Sequence, residues 1–195
     1  DCVCIKAASY PDPAANRNVK NILVEHCVLW NAEPGNAVEI GYEVRCDEIS
    51  DITFRDLDIV HCEYEGNQSG GVLTIHNADR AHIHDIVYED IRVEDAQEKF
   101  VDIKVLDSKY SLDRKRGSVE NIYFRNVEIL NGNFPVSIIR GFEMHTEMSR
   151  PRNIYFDNVV VLGKQVESPS DLHMVVELSD DILFNGTAHA KRNPF

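Results

Sequence analysis

A short motif recurs five times along this chain at nearly regular intervals. Each copy starts with Asn or Asp, continues with Ile and any residue, and then places an aromatic residue or Val. The Ile residues of successive copies lie 30, 34, 36 and 32 residues apart; they are Ile22, Ile52, Ile86, Ile122 and Ile154. Self-similarity at this period is typical of proteins built from stacked repeats, so it constrains the fold more than any other feature of the sequence.

Within each copy, apolar and polar residues alternate along two short runs. The second copy shows the pattern, with Ile52 and Phe54 in the first run and Leu57 and Ile59 in the second. Alternation with β-branched and aromatic residues predicts half-buried strands. One residue interrupts the alternation between the runs, and it is usually Asn or Asp, which bonds the local backbone and tolerates left-handed dihedral angles. The sequence therefore predicts bends at His26, Asp56, Asp90, Asn126 and Asn158.

A further short strand is predicted in each repeat, outside the motif. These strands are Val3–Lys6, Ala37–Gly41, Val72–His76, Val101–Val105, Val136–Ile139 and Met174–Leu178. No helical period separates them, so a crossover helix is not expected. The pattern predicts an all-β fold, a parallel β-helix solenoid of about five to six coils, in which the motif Ile residues stack into an inward ladder. A β-sandwich with irregular strands is the alternative.

Length and charge limit the classes of protein to consider. The 195 residues suit a single domain, 1–195. The net charge of −13 argues against nucleic acid and anionic membrane surfaces as partners, and no apolar stretch has the length of a membrane span. The chain shows neither a signal peptide nor an N-terminal cap, which predicts the C-terminal part of a longer solenoid. Because an uncapped coil has unpaired strand edges, self-association through the N-terminal coil is also expected.

All five cysteines lie in the first third of the chain. They are Cys2, Cys4, Cys27, Cys46 and Cys62. The sequence contains no CxxC pair or similar Cys/His set, so we expect no metal and no other cofactor. Most of the thiols are expected to be free, with a Cys46–Cys62 disulfide as the alternative.

A strip of polar side chains is expected on the outer face of the sheet that the short strands form. If Val38 and Ile40 face the core, Glu39 faces outward, and the same parity exposes polar residues on neighbouring coils. The strip contains Asp1, Lys6, Glu39, Glu43, His76, Asp102 and Lys104. Carboxylates on adjacent strands, roughly 4.8 Å apart, can converge on one bond of a linear polymer, and glycoside hydrolysis requires such a pair. The alternative is a solvated face without a function.

The first 43 residues resemble a known enzyme family. Asp1-Cys2-Val3-Cys4-Ile5-Lys6 is similar to the D-D-C-[IV]-x-[IV]-K segment of glycoside hydrolase family 28, the polygalacturonases and their relatives. The stretch Asn18–Glu43 contains Gly35-Asn36-Ala37-Val38-Glu39-Ile40-Gly41, which resembles the G-H-G-[IV]-x-[IV]-G of that family's following coil. The repeat pattern agrees with the family along the whole chain.

The resemblance implies a right-handed parallel β-helix of the pectin lyase-like kind and an inverting hydrolase that uses three aspartates from two neighbouring coils. Asp1 matches the second aspartate of an adjacent pair and is the candidate catalytic acid or base. The other two aspartates have no counterpart in this chain, so it is expected to carry only part of the active site. The candidate substrate-binding residues are Lys6, Asn36, Glu39, Glu43 and His76.

Two departures from the family pattern bear on the substrate. Asn36 stands where polygalacturonases have the His of G-H-G, and Thr74-Ile75-His76 aligns with the R-I-K that grips a sugar carboxylate. A fork of fixed positive charge is the natural clamp for a uronate, so its replacement favours a neutral glycan. Trp30 is a candidate platform for a sugar ring, with packing beside the bend as the alternative.

These observations together predict a secreted or periplasmic glycoside hydrolase. Its substrate is expected to be a polysaccharide or oligosaccharide, more neutral than pectic. The alternative is a non-catalytic β-helix that binds glycan or serves a structural role, of the adhesin or tailspike type.

Overall fold

The computed structural model describes residues 1–8, 17–63, 70–131, 133, 134 and 136–186. In this part of the chain 61% of the residues are in β-strands, and the only helical element is a 3-10 turn at Pro169–Leu172. The strands are β1 (Val3–Ala7), β2 (Val19–Asn31), β3 (Val38–Val44), β4 (Glu48–Cys62), β5 (Leu73–Asn77), β6 (His82–Val93), β7 (Val101–Val105), β8 (Ser118–Ile129), β9 (Ile138–Arg140), β10 (Phe142–Met144), β11 (Glu147–Ser149), β12 (Arg152–Val161), β13 (Lys164–Gln165), β14 (Val175–Glu177) and β15 (Asp180–Phe184).

Two parallel sheets make up the body of the molecule. The short-strand sheet has the order β1-β3-β5-β7-β9-β14, and the long-strand sheet contains β12, β8, β6, β4 and β2 in that order, with β15 on the other side of β12. Each coil adds one strand to each sheet, which produces a β-solenoid of about five turns. The expected parallel solenoid is therefore confirmed, and the β-sandwich alternative is wrong because successive coils pair in parallel in both sheets. The two-residue β13 is an antiparallel addition to β12.

The predicted isoleucine ladder is present in register. Ile22, Ile52, Ile86, Ile122 and Ile154 are paired neighbours on successive long strands. Ile182 on β15 adds a sixth rung that the five motif copies did not include. Four of the five motif Ile residues are fully buried, and Ile22 on the first long strand is half-buried. Stacking of identical side chains on parallel strands accounts for the regular core.

Two residues beyond the ladder Ile, in the last four motif copies and on β15, aromatic rings stack inside the core. The centroids of neighbouring rings lie 5.0, 5.0, 4.7 and 5.0 Å apart. The planes deviate from parallel by 11° at most. The stack runs through Phe54, Tyr88, Phe124, Phe156 and Phe184. Aromatic pairs in offset stacks add stabilisation beyond the area that they bury, so this column stabilises the long-strand sheet across five coils.

All five predicted bends adopt left-handed backbone conformations. Their φ angles are 57°, 52°, 54°, 51° and 52° at His26, Asp56, Asp90, Asn126 and Asn158. A second row of bends, which the sequence reading did not predict, lies at the first residue of each motif. There φ is 57°, 56°, 56°, 56° and 54° at Asn21, Asp51, Asp85, Asn121 and Asn153. Asn and Asp tolerate this region, so each long strand wraps around the core in three straight pieces.

Side-chain amides link the bends of successive coils. Asn153 donates to Asn121 Oδ1 at 3.1 Å, and Asn121 donates to Asp85 Oδ1 at 3.2 Å. In the second row, Asn158 donates to Asn126 Oδ1 at 2.9 Å. These bonds run along the stack and hold the coils in register where the backbone changes direction.

The predicted short strands are all present, and their ends shift by up to three residues. All five cysteines are free thiols. Cys46 and Cys62 are both buried but not bonded to each other, so the alternative Cys46–Cys62 disulfide is not formed. Within the described residues, no helix has the length and apolarity that crossing a membrane requires. No described strand pairs with the outer edges of β1 and β2, and self-association through this coil stays a prediction.

Candidate functional site

The short-strand sheet gathers the predicted polar residues into one strip. Its register places Cys4 beside Glu39, and then Thr74 and Asp102 on the next two coils. The neighbouring row brings His76 beside Lys104. Residues that are far apart in the sequence therefore form one continuous polar strip, as the alternation of inward and outward residues predicted.

The expected exposure of this strip was wrong for its central members. Glu39, His76, Asp102 and Lys104 are buried, with exposed fractions of 2%, 0%, 0% and 9%. They point away from the apolar core, but the outer face of the sheet is itself covered. A sugar in solvent does not reach them in this arrangement.

One residue of β3 and two residues from the connections between strands form the cover. The Tyr42 ring stacks on the His76 imidazole, with centroids 4.5 Å apart. The Lys99 ammonium lies 3.8 Å from the Asp102 carboxylate. A Cβ at Gly71 would lie 2.6 Å from the Thr74 methyl group and 3.3 Å from the Asp102 Cβ, so the backbone there packs directly on the strip.

The buried side chains form a chain of alternating charges across three coils. His76 Nδ1 lies 2.9 Å from Glu39 Oε1, and its Nε2 lies 3.3 Å from Asp102 Oδ2 without a hydrogen-bonding alignment. Lys104 Nζ donates to Asp102 Oδ2 at 2.9 Å. Buried charges persist when each has a partner of opposite sign, and this chain provides those partners.

The ionisation of the network follows from these contacts. Burial alone would lower the pKa of His76, but the adjacent Asp102 and Glu39 carboxylates outweigh it and raise the pKa above its ordinary value. Burial would raise the pKa of Asp102, yet His76 and Lys104 hold it below its usual range. Burial lowers the pKa of Lys104, and Asp102 opposes part of that shift. An imidazolium between two carboxylates is the state that these directions favour.

Asp1 is exposed and lies at the first-coil end of the strip. Its Oδ1 accepts two hydrogen bonds of 2.9 Å, from the backbone N–H and the side-chain amide of Asn36. The same amide donates to Glu39 Oε2 at 3.1 Å. A Cβ at Gly35 would lie 2.3 Å from the Asp1 nitrogen, and its φ of 134° is one that other residues rarely adopt. Gly35 and Asn36 together fix the position of the Asp1 carboxylate.

Lys6 and Glu43 pair with each other at the rim of the strip. Lys6 Nζ lies 2.7 Å from Glu43 Oε2, and the two side chains are 38% and 25% exposed. The structure thus separates the candidate substrate-binding residues. Lys6 and Glu43 face solvent as a pair, whereas Asn36, Glu39 and His76 are buried behind Asp1.

A group with metal-binding potential lies at the same place. One ligand atom each from Asp1, Cys4 and Glu39 lies within 4.8 Å of the others. The Cys4 sulfur points back toward Glu39 and the Gly41 carbonyl, and burial together with the Glu39 charge raises the pKa of the thiol to about 12. Since the thiolate is the metal-binding form, an ion there would have to displace a firmly held proton. No spacing rule flags this trio, because it comes from two coils.

Trp30 is 61% exposed, so the alternative of core packing is wrong. Its ring stacks on His61 of the next coil, with centroids 5.3 Å apart and an interplanar angle of 21°. The Cys2 thiol donates to the Trp30 carbonyl at 3.4 Å, which ties the tryptophan backbone to the residue next to Asp1. The exposed Trp30 is therefore tied to the first-coil end of the strip, where Asp1 lies.

Comparison with protein-family models, with curated proteins and with solved structures finds no match.

The charged His76 gives stability a defined pH dependence. Because the folded pKa lies above the ordinary value of 6.5, the imidazolium stabilises the folded state fully below that value. This contribution is lost as pH rises through the raised pKa. Urea unfolding of the wild type and of His76→Gln, between about pH 5 and about pH 9, should show a difference in unfolding free energy that shrinks with rising pH. A difference that stays constant would contradict a charged His76, and NMR titration of the imidazole provides an independent check.

Proposed function

We propose that this chain is part of a family-28-like glycoside hydrolase with Asp1 as catalytic acid or base. The observation that carries the proposal is the Asp1 carboxylate, exposed at the rim of the strip and oriented by two hydrogen bonds from Asn36. General acid–base catalysis requires a carboxyl group held in position and reachable by substrate. The buried Glu39 accepts a hydrogen bond from the Asn36 amide, and His76 in turn pairs with Glu39.

Glu39 is not the second catalytic carboxylate in this proposal. An inverting hydrolase needs carboxyl groups roughly 6.5–9.5 Å apart, with room for water between them. Oxygens of Asp1 and Glu39 lie within 4.8 Å of each other, and Glu39 is buried and bonded to Asn36 and His76. In this proposal Asp1 is one member of an inverting pair, and its partner carboxylate lies outside the described residues.

A neutral polysaccharide or oligosaccharide is the proposed substrate. The exposed Lys6 is already neutralised by Glu43, and the positions that correspond to the uronate clamp hold the buried Thr74 and His76. Neither arrangement offers a free fixed cation to a sugar carboxylate. The exposed Trp30 ring suits the apolar face of a neutral sugar. A secreted or periplasmic location is part of the same proposal.

A non-catalytic glycan-binding or structural module is the second candidate. The charges of Glu39, His76, Asp102 and Lys104 are satisfied by one another and covered. This favours a structural role for most of the strip, and a module of this kind would need no catalytic carboxylate.

The two candidates differ in what happens to a glycan. The protein, expressed with any flanking sequence that its gene encodes, is incubated with a panel of neutral polysaccharides and with polygalacturonate, and released reducing ends are measured. Hydrolysis of a neutral polysaccharide is expected, with a loss of at least about 100-fold in Asp1→Asn. Asp47→Asn is the matched control, because Asp47 is 84% exposed and contacts Arg80 elsewhere.

Full activity in Asp1→Asn would overturn the catalytic assignment. Retention on a glycan without release of reducing ends would favour the binding module. Hydrolysis of polygalacturonate alone would retain the family and reject the neutral substrate.

A further inference from the structure

A trench lies on the outer face of the long-strand sheet, away from Asp1 and the short-strand sheet. It has a cavity volume of about 310 Å³, within the range of small-molecule sites. The residues that line it are Asn21, Ile22, Leu23, Asp51, Thr53, Arg55, Val87, Glu89 and Arg125. We call this surface the outer trench.

The trench exists because one outward row changes from two aliphatic residues and a threonine to tyrosines. Leu23, Thr53 and Val87 are in register on the first three coils. The next members of the row are Tyr123 and Tyr155, whose rings stack with centroids 4.9 Å apart. Leu23, Thr53 and Val87 form a mostly apolar floor along the stack, and the row becomes aromatic at its fourth coil.

The two walls of the trench have different hydrogen-bonding character. One wall is the bend row, where Asn21 and Asp51 present side-chain oxygens. The other contains Arg55, Glu89 and Arg125, in register on successive coils. Two carboxylates and two guanidinium groups balance, so the lining has no net charge. The charges of the second wall alternate in sign from coil to coil. The same charge therefore returns every two coils, a distance of roughly 9.6 Å.

We propose that the outer trench binds a linear neutral glycan whose chain runs along the stack. Sugar hydroxyls donate and accept, so they can bond the acceptors of the bend row and the N–H groups of Arg55 and Arg125, while the floor takes the apolar face of the sugar ring. An anion would meet Asp51, Glu89 and an Arg55 whose charge is already paired with Glu25, and a lipid would leave both polar walls unsatisfied. A repeat of two coils is on the scale of a disaccharide. This binding is separate from hydrolysis and does not rest on it.

Affinity gel electrophoresis tests the proposal with soluble probes. The native protein runs through gels that contain dextran, galactomannan, laminarin, xyloglucan or polygalacturonate. Retardation by at least one neutral polymer is expected. Thr53→Trp, which fills the trench, and Arg55→Ala, which removes a wall donor, should weaken the apparent affinity by at least about tenfold.

One variant is the matched control. Arg92→Ala removes an arginine that, like Arg55, is paired with carboxylates and about as exposed, 44% against 42%, but lies outside the trench. It should be retarded like the wild type. Asp1→Asn is run beside it to separate the two proposed sites, because Asp1 lies on the other sheet. Circular dichroism confirms that each variant is folded.

Several results would overturn the proposal. They are no retardation by any neutral polymer, unchanged retardation of folded Thr53→Trp, or retardation by polygalacturonate alone. Loss of binding in Asp1→Asn with normal binding in Thr53→Trp would assign glycan binding to the Asp1 site, which leaves the proposed function intact. A wild-type dimer in light scattering that Thr53→Trp disrupts would identify a second copy as the occupant.

Discussion

Phe124→Ala is expected to lower the unfolding free energy by about 3–5 kcal/mol. Phe124 is fully buried and lies in the middle of the core stack, between Tyr88 and Phe156, with centroids 5.0 and 4.7 Å away. Truncation removes contacts on both ring faces and leaves a cavity that parallel strands cannot close, because their spacing is set by backbone hydrogen bonds. Urea unfolding followed by far-UV circular dichroism measures the loss.

Tyr155→Ala is the matched control. Tyr155 also stacks on a neighbouring ring, Tyr123, at 4.9 Å and 7°, but on the outer face of the same sheet, where it is half-buried. Its truncation should cost about 1–2 kcal/mol, because part of the ring is already in solvent and the aromatic pair adds only about 1 kcal/mol beyond its burial. Equal losses for the two variants would show that the inner column is no more important than surface stacking.

Asp102→Ala is the second large change, with an expected loss of about 3–5 kcal/mol. Asp102 is fully buried and compensates two cations, Lys104 at 2.9 Å and His76 at 3.3 Å. Removal leaves buried positive charge without its partner, and the cost of that exceeds the value of the lost contacts. Urea unfolding near neutral pH measures the effect.

Glu177→Ala supplies the comparison in the same sheet. Glu177 pairs with Arg140 at 2.6 Å, but the two side chains are 50% and 45% exposed. Solvent screening limits such a pair to about 1 kcal/mol or less. If Asp102→Ala cost no more than Glu177→Ala, the buried chain of charges would not contribute to stability as described. Additional removal of the Lys104 charge, in Asp102→Ala/Lys104→Met, should recover part of the loss.

The architecture could be predicted from the sequence because its determinants repeat. The motif Ile residues established the coil period, and alternation assigned inward and outward positions that the strand register confirms. The bends at Asp56 and Asn126 followed from the break in alternation. The bends at Asp51 and Asn121 carry the same Asn/Asp signal, but they precede the alternating run of the motif, so the break in alternation does not predict them.

The candidate site was predictable only in part. The alternation of inward and outward residues showed correctly that Glu39 and Asp102 point away from the core. It carries no information about what covers these two side chains. The cover comes from Tyr42 at the end of β3 and from Lys99 and Gly71, in connections that do not repeat from coil to coil. The bonds between Asn36 and Asp1 depend on a close approach of two coils, which periodicity does not report.

The two bend rows are always five residues apart on the long strands, from Asn21 to His26 and from Asn153 to Asn158. The variation in repeat length, 30 to 36 residues, is therefore confined to the stretches beyond this interval. Insertions and deletions in those stretches can reshape the covering loops without disturbing the coil beneath them. A chain of this design can gain, lose or exchange chemistry during evolution while its supporting frame stays the same.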